Sequence, residues 1–165
     1  MLQRIQTIYL FMASMAMLLL FFVPYWHSSS GAGLVVYNAL RLKLTTAEGV
    51  LIYQNQADNI FLAGFTAFVC VSILVGFIVI FMYRNRVKQA FYCNLSILIQ
   101  VIVGVSGYWV VYTLEQKLEL DGASELLSEA GPGVLLPLLG LVFSWLARRS
   151  ILKDEAKVRA MDRIR

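Results

Sequence analysis

Residues 59–83 read NIFLAGFTAFVCVSILVGFIVIFMY and contain no charged side chain. At about 1.5 Å per residue, an α-helix of roughly 20 apolar residues crosses a hydrocarbon core of about 30 Å. Two further charge-free runs, residues 5–26 and 90–114, have comparable length. Each of the three runs therefore predicts one transmembrane helix.

A fourth apolar run is shorter, because Gly133 to Ala147 spans only about 15 residues and includes Pro137. Extending the run back to residue 130 gives 130–147, which is close to the minimum length for a crossing. Proline is tolerated in membrane helices where neighbouring groups compensate the freed backbone carbonyls. We expect a fourth transmembrane helix here, with a re-entrant segment as the alternative.

The composition of the 165-residue chain argues against an ordinary soluble domain, since 59% of residues are hydrophobic and only 15% are charged. The mean hydropathy is +0.72. The net charge of +4 does not indicate nucleic-acid binding, because the basic residues form no stripe interleaved with aromatic residues. Cys70 and Cys93 lie in apolar runs without CxxC spacing, so we expect free thiols rather than a disulfide or a zinc site.

The distribution of charge predicts the orientation in the membrane. Eleven of the 14 basic residues lie in the N-terminal stub, in residues 84–88 and in the tail, residues 148–165, whereas residues 27–58 and 115–129 carry seven of the 10 acidic residues. Basic segments stay in the cytoplasm, so both termini are expected there, in a multi-pass protein of a bacterial inner membrane. Arg4 before an apolar run also suggests a signal peptide, but the length of the run and the lack of an A-x-A site favour a retained anchor.

The two external segments have different patterns. In residues 33–56, Leu42 and Leu44 alternate with polar residues, a turn signal follows, and a second short apolar run begins at Val50. This pattern predicts a small β-hairpin. The acidic segment, residues 115–130, has a composition that favours helix on both sides of Asp121.

One face of the third run carries polar and small residues at membrane depth. Ser96, Gln100, Gly104 and Tyr108 recur every four residues and therefore lie near one another on a helix. Amide and hydroxyl groups bond across membrane helices, and glycine allows close approach, so packing within the bundle is the favoured interpretation. A small polar pocket or a dimer seam is the alternative.

The sequence contains few candidate catalytic residues. The four apolar cores contain no ionisable residue, which disfavours a proton-coupled exporter. The single histidine, His27, follows Trp26 at the end of the first run, a position typical of an interfacial aromatic belt. There is no GxSxG, P-loop or HExxH motif, so we expect no catalytic, cofactor-binding or metal-binding residue.

The tail, residues 148–165, is basic and has a helical composition. Its arginines are expected to contact anionic lipid headgroups at the cytoplasmic face. Alternatively, the tail is a docking surface for a protein partner. The residues predicted to make these contacts are Arg148, Arg149, Arg159, Asp162, Arg163 and Arg165.

Both ends of the chain carry recognisable patterns, MLQRIQTIYL at the start and LARRSILKDEAKVRAMDRIR at the end. They resemble a family of small bacterial inner-membrane proteins, chiefly from the Bacteroidota, that is described only as a domain of unknown function. The resemblance implies an inner-membrane location and four helices. It implies no activity, ligand or catalytic residue.

Together these patterns predict an all-α membrane protein, a four-transmembrane-helix bundle with a small external β-hairpin between helices 1 and 2. Because the polar residues are concentrated outside the membrane, the leading hypothesis is a non-enzymatic accessory or interaction subunit with a protein partner or a second copy of itself. The alternative is a small-solute or lipid-handling transporter that forms an oligomer around the Ser96, Gln100 and Gly104 face. An intramembrane enzyme is the third hypothesis.

Overall fold

The computed structural model describes residues 2–30, 33–39, 42–46, 51–54, 60–82, 86–120 and 127–162. Four helices and five strands lie in these ranges. In chain order they are α1 (Leu2–Leu19), β1 (Trp26–Ser30), β2 (Gly33–Tyr37), β3 (Leu42–Thr46), β4 (Leu51–Gln54), α2 (Ile60–Phe81), α3 (Arg86–Leu120), β5 (Leu127–Ala130) and α4 (Leu135–Asp162), the last preceded by a 3₁₀ turn at Pro132–Val134.

The four helices pack as a ring in which α1 contacts α2 and α4, and α3 contacts the same two helices. Their outer faces carry large apolar side chains such as Leu74 and Phe81, which are 62% and 75% exposed. Three helical stretches, Ile60–Phe81, Lys88–Gln116 and Pro132–Val158, are long and apolar enough to cross a membrane. Lipid is a favourable solvent for such faces, whereas water is not.

The apolar part of α1, Ile5–Leu19, is shorter than these three stretches. The sequence predicted a run to Trp26, but the helix ends at Leu19 and the chain turns through residues 20–23. Pro24 has no N–H and disfavours helical geometry in the residue before it. The N–H of Tyr25 then donates to a carbonyl of β2 at 2.8 Å, so the chain leaves the helix for the sheet.

In contrast, α4 is one continuous helix of 28 residues. Pro137 lies in its first turn, where backbone N–H groups have no partner within the helix, so the proline breaks no hydrogen bond. A re-entrant segment would require a break in the helix, and Leu135–Asp162 contains none.

The strands form one antiparallel sheet in the order β4-β3-β2-β1-β5. The predicted hairpin is present as β3 and β4, with Leu44 opposite Ile52. The sequence did not predict β1, β2 or β5. Helix was expected on both sides of Asp121. The part before it continues α3 to Leu120, but Leu127–Ala130 pairs with β1 as a strand instead. Because β5 comes from the segment between α3 and α4, the sheet joins this segment to the one between α1 and α2.

Two glycines hold the segment before α4 against the chain that connects α1 to β1. The N–H groups of Gly131 and Gly133 donate to the carbonyls of Tyr25 and Pro24 at 3.0 and 2.9 Å. A Cβ atom at Gly133 would lie 2.7 Å from the Pro24 carbonyl oxygen, so only glycine permits this approach. The contact fixes the sheet relative to the helices.

The buried apolar residues form two clusters along the helices. The sheet-end cluster is built around Tyr25, Tyr37 and Phe65. The tail-end cluster consists of Leu10, Val79, Ala90, Cys93, Ala147 and Ile151. Buried polar residues such as Gln6 and Gln100 do not belong to either apolar cluster, and they mark the candidate sites.

Candidate functional site

Gln100 is almost fully buried and joins α3 to α4. Its amide nitrogen donates to Ser144 Oγ at 3.1 Å and to Ser96 Oγ at 3.4 Å. The Ser144 hydroxyl in turn can donate to Gln100 Oε1 at 3.2 Å. Both ends of the amide thus have partners inside the chain, as a buried amide requires in an apolar surrounding.

The other two members of the predicted polar face lie further round α3. The Gly104 carbonyl accepts a hydrogen bond from Tyr25 Oη at 3.3 Å, whereas Tyr108 is 70% exposed. Each step of four residues advances the helix by about 40° beyond a full turn, so residues 96 and 108 differ by about 120° in direction. The structure therefore brings Ser96 and Gln100 together at α4 and leaves Tyr108 on the outer surface.

A groove of about 500 Å³ lies between α3 and α4, beneath β1 and β5. The helical walls are mostly apolar, with Val101, Val105 and Leu138 among the lining residues. Gly104 also lines the groove, and a Cβ atom placed there meets no heavy atom within 4 Å. Gln100 lies at the end of the groove nearest the middle of the helices.

The sheet end of this groove is polar and anionic. Trp26 Nε1 donates to Ser128 Oγ at 2.6 Å, and the Ser128 hydroxyl donates to the Glu115 carboxylate. These three residues come from β1, β5 and α3, and all three line the groove. Sequence reasoning missed them, because only the pairing of β5 with β1 brings them together.

A second groove, of about 400 Å³, lies between α2 and α3. Its lining includes Gly64, Phe68 and Trp109, with Ser106 as a polar member and no charged side chain among the described lining residues. Gly64 also meets no heavy atom within 4 Å of an added Cβ. The two grooves thus share α3 as a wall, but among the described lining residues only the α3–α4 groove has a charged side chain, Glu115.

The predicted contact residues of the tail lie on α4 or beyond it. Arg149 is exposed, with its guanidinium 5.5 Å from the centre of the Trp145 ring. Arg148 is half-buried, and its Nε has no hydrogen-bond partner within the described part of the chain. Arg159 and Asp162 belong to α4, but their side chains, and Arg163 and Arg165 entirely, lie outside the described residues.

A buried polar contact near the tail was also missed. Gln6 Nε2 donates to Asp154 Oδ2 at 2.5 Å, and both side chains are more than nine-tenths buried. The bond connects the start of α1 with α4 across 148 positions of sequence. The sequence did not predict this contact, because spacing within one segment gives no information on such distant partners.

At the sheet, His27 Nε2 lies 3.1 Å from Glu129 Oε2 on the neighbouring strand. The Glu129 side chain is 71% exposed, so this pair is at the surface. Within the described ranges, no group of three or more histidine, cysteine or acidic side chains could hold a metal ion.

Comparison with known proteins gives one clear result. The family model for a domain of unknown function, DUF4293, matches residues 2–164, nearly the whole chain. The chain therefore belongs to this family, which agrees with the resemblance of its two ends. No curated protein matches the chain.

Proposed function

We propose that this member of the DUF4293 family is a non-enzymatic accessory subunit of the bacterial inner membrane, with four crossing helices and both termini in the cytoplasm. The observation that carries the proposal is the five-stranded sheet, which joins both external segments and has β4 and β5 at its edges. An edge strand offers unpaired backbone N–H and C=O groups to another chain. A partner that adds an extended segment to β5 would therefore bind in the manner of strand addition.

The length and composition of the helices support the membrane location. α1 has 18 residues and is about 27 Å long, and apolar residues continue through the turn that follows it. It packs against α2 and α4, two of the helices suited to crossing a membrane, and so crosses alongside them. The basic residues at one end and the acidic residues at the other support the orientation.

The use of polar groups at membrane depth supports a non-enzymatic role. The side chains of Gln100, Ser96 and Ser144 are bonded to one another. Such bonds between helices position the bundle and supply neither a nucleophile nor a base. Exposed charged side chains such as Glu129 at the sheet and Lys157 on the tail are accessible to a partner.

Purification of the full chain in mild detergent, with quantitative mass spectrometry of the co-purifying proteins, tests the accessory role. The variant Glu129→Lys reverses a charge on β5, and Lys157→Glu reverses an exposed charge at the tail as the matched control. We expect Glu129→Lys to lose at least one wild-type partner by tenfold or more, with Lys157→Glu retaining it. Equal recovery of every partner with both variants contradicts docking at the sheet.

The tail is tested separately, and the structure decides where to truncate it. Ile151 and Asp154 are buried against other helices, so removal of residues 150–165 would damage the core. Deletion of residues 159–165 spares both. Loss of a partner on this deletion assigns docking to the tail, whereas full retention assigns docking to the sheet.

Cysteine labelling tests the orientation. In a Cys70→Ser background, a membrane-impermeant thiol reagent should label Glu129→Cys in intact spheroplasts and Lys157→Cys only after lysis. Both positions are exposed, so accessibility to the reagent depends on the side of the membrane. Labelling of Lys157→Cys from outside contradicts the proposed orientation.

The alternative, a small-solute or lipid-handling transporter, is favoured by one observation: Gln100 and Gly104 line the α3–α4 groove. Substitution Gln100→Leu removes the amide and keeps a similar volume. Loss of a transport or resistance phenotype at normal expression would favour transport. An unchanged phenotype would assign Gln100 to packing.

A further inference from the structure

The groove between α3 and α4 has the length of one membrane leaflet. From Gln100 to Glu115 it follows 15 residues of α3, which is about 22 Å. Half of a bilayer, including its headgroup region, is about 20–22 Å thick. The mostly apolar walls lie along the part of this path that corresponds to the hydrocarbon layer.

The groove is narrow and opens towards the lipid. A volume of about 500 Å³ spread over about 22 Å gives a mean cross-section of roughly 23 Å². An α-helix with side chains is about 10 Å across, which gives a cross-section of roughly 80 Å², more than three times that of the groove. Val105 and Leu138 on the two walls are 64% and 55% exposed, so a single hydrocarbon chain can enter from the side.

The sheet end of the groove selects for positive charge. The Glu115 carboxylate accepts one hydrogen bond from Ser128, and an ionised carboxylate has about four acceptor positions. A primary ammonium group carries three N–H donors and a compensating charge, so it complements this carboxylate better than an anionic or uncharged headgroup does.

We infer that the α3–α4 groove binds one acyl chain of a phospholipid from the external leaflet, with a primary-amine headgroup at Glu115. The inference rests on the proposed membrane location and goes beyond the accessory role. The groove between α2 and α3 has no charged lining residue among those described, so it provides no selection of headgroup. A transmembrane helix of a partner protein is the alternative occupant, but the cross-section of such a helix is larger than that of the groove.

Native mass spectrometry of the full chain tests the inference. The protein is reconstituted in nanodiscs with equal amounts of phosphatidylethanolamine and phosphatidylglycerol, and is then released into mild detergent. We expect one phosphatidylethanolamine retained per chain, in at least fivefold excess over phosphatidylglycerol. Wild-type protein that retains no lipid, or both lipids equally, overturns the inference.

Two glycines provide a matched pair of variants. Gly104→Leu fills the α3–α4 groove and Gly64→Leu fills the α2–α3 groove, and neither added Cβ meets an existing heavy atom within 4 Å. We expect Gly104→Leu to reduce retained lipid by tenfold or more and Gly64→Leu to leave it unchanged. Equal loss in both variants indicates general lipid contact and overturns the assignment to the groove.

A second pair covers the case in which Gly104→Leu fails to fold. Leu138→Trp obstructs the same groove from α4. Leu139→Trp is its control, because Leu139 is similarly exposed and lines neither groove.

Glu115→Gln should keep the acyl chain and lower the preference for phosphatidylethanolamine to parity. An unchanged preference overturns the role of the carboxylate. Recovery of partner proteins is measured in the Glu129→Lys experiment, so failure of the accessory role is distinguishable from failure of lipid binding.

Discussion

The two ends of the helices are held together by different means. At the sheet end, the rings of Tyr25, Tyr37 and Phe65 meet at centroid distances of 5.4–6.3 Å. At the tail end, the cluster contains smaller side chains such as Ala147 and Cys93, and a hydrogen bond between Gln6 and Asp154 lies beside it. One end depends on the volume of aromatic rings, and the other depends on close approach and a directional polar contact.

This difference follows from what each end has to join. At the sheet end, helices meet strands, and the irregular space between them is filled by large rings. At the tail end, only helices meet, and small residues allow their backbones to approach closely. The two ends should therefore respond to different substitutions.

Substitution Phe65→Ala should give the largest effect. Phe65 is buried and contacts both tyrosine rings, so truncation leaves a cavity and should lower the free energy of unfolding by about 3–5 kcal/mol. Reversible unfolding in mixed detergent micelles measures the change. Phe68→Ala, at a side chain that is 43% exposed, is the control and should cost less than about 1.5 kcal/mol. A similar loss in both variants would contradict the aromatic contribution at the sheet end.

The parts of the fold that could be predicted are those whose sequence pattern lies within a single segment. Charge-free runs predicted α2 and α3, and alternation predicted the pair of β3 and β4. By contrast, β1 reads WHSSS and β5 reads LSEA, and neither has the β-branched residues or the alternation typical of a strand. These two strands form because the connections at the sheet end place them side by side.

Substitution Asp154→Leu tests the polar contact at the tail end. It leaves the buried Gln6 amide without its acceptor and should cost about 1.5–3 kcal/mol, the range for a hydrogen bond to a charged group. Asp154→Asn keeps a carbonyl acceptor and should cost less. Lys153→Ala, at an exposed neighbour, is the control, with a change of about 0.5 kcal/mol or less. Equal costs for the two Asp154 variants would show that the hydrogen bond is not the source of the stability.

The candidate sites were predictable only in part, for a physical reason. Gln100 was identified because an amide within an apolar run needs a partner, and the helical spacing indicated Ser96. Ser144, Glu115 and Ser128 reach their positions through packing between segments, on which periodicity within one segment gives no information. The anionic end of the groove therefore became visible only with the fold.

The smallest change in the free energy of unfolding is expected for Tyr37→Phe, and this substitution should stabilise the protein. Its hydroxyl is buried and has no hydrogen-bond partner within the described residues, so Tyr37→Phe should raise the free energy of unfolding at neutral pH by about 1 kcal/mol or less. Tyr108→Phe is the exposed control, within about 0.5 kcal/mol of wild type. A loss above about 1 kcal/mol in Tyr37→Phe would reveal a bonded hydroxyl.

The same residue makes the sheet end sensitive to alkaline pH. Burial raises the pKa of Tyr37 above its ordinary value of 10.0, and the charge on an ionised Tyr25 raises it further. Above about pH 10 the unfolded chain therefore loses this proton while the folded chain keeps it, so stability falls as pH rises. The free energy of unfolding then falls by about 1.4 kcal/mol per pH unit for one proton, and Tyr37→Phe should remove this contribution. Asp154→Leu should leave the slope unchanged, because the Gln6–Asp154 contact belongs to the tail end. An equal alkaline slope in Tyr37→Phe and wild type would place the titrating group elsewhere.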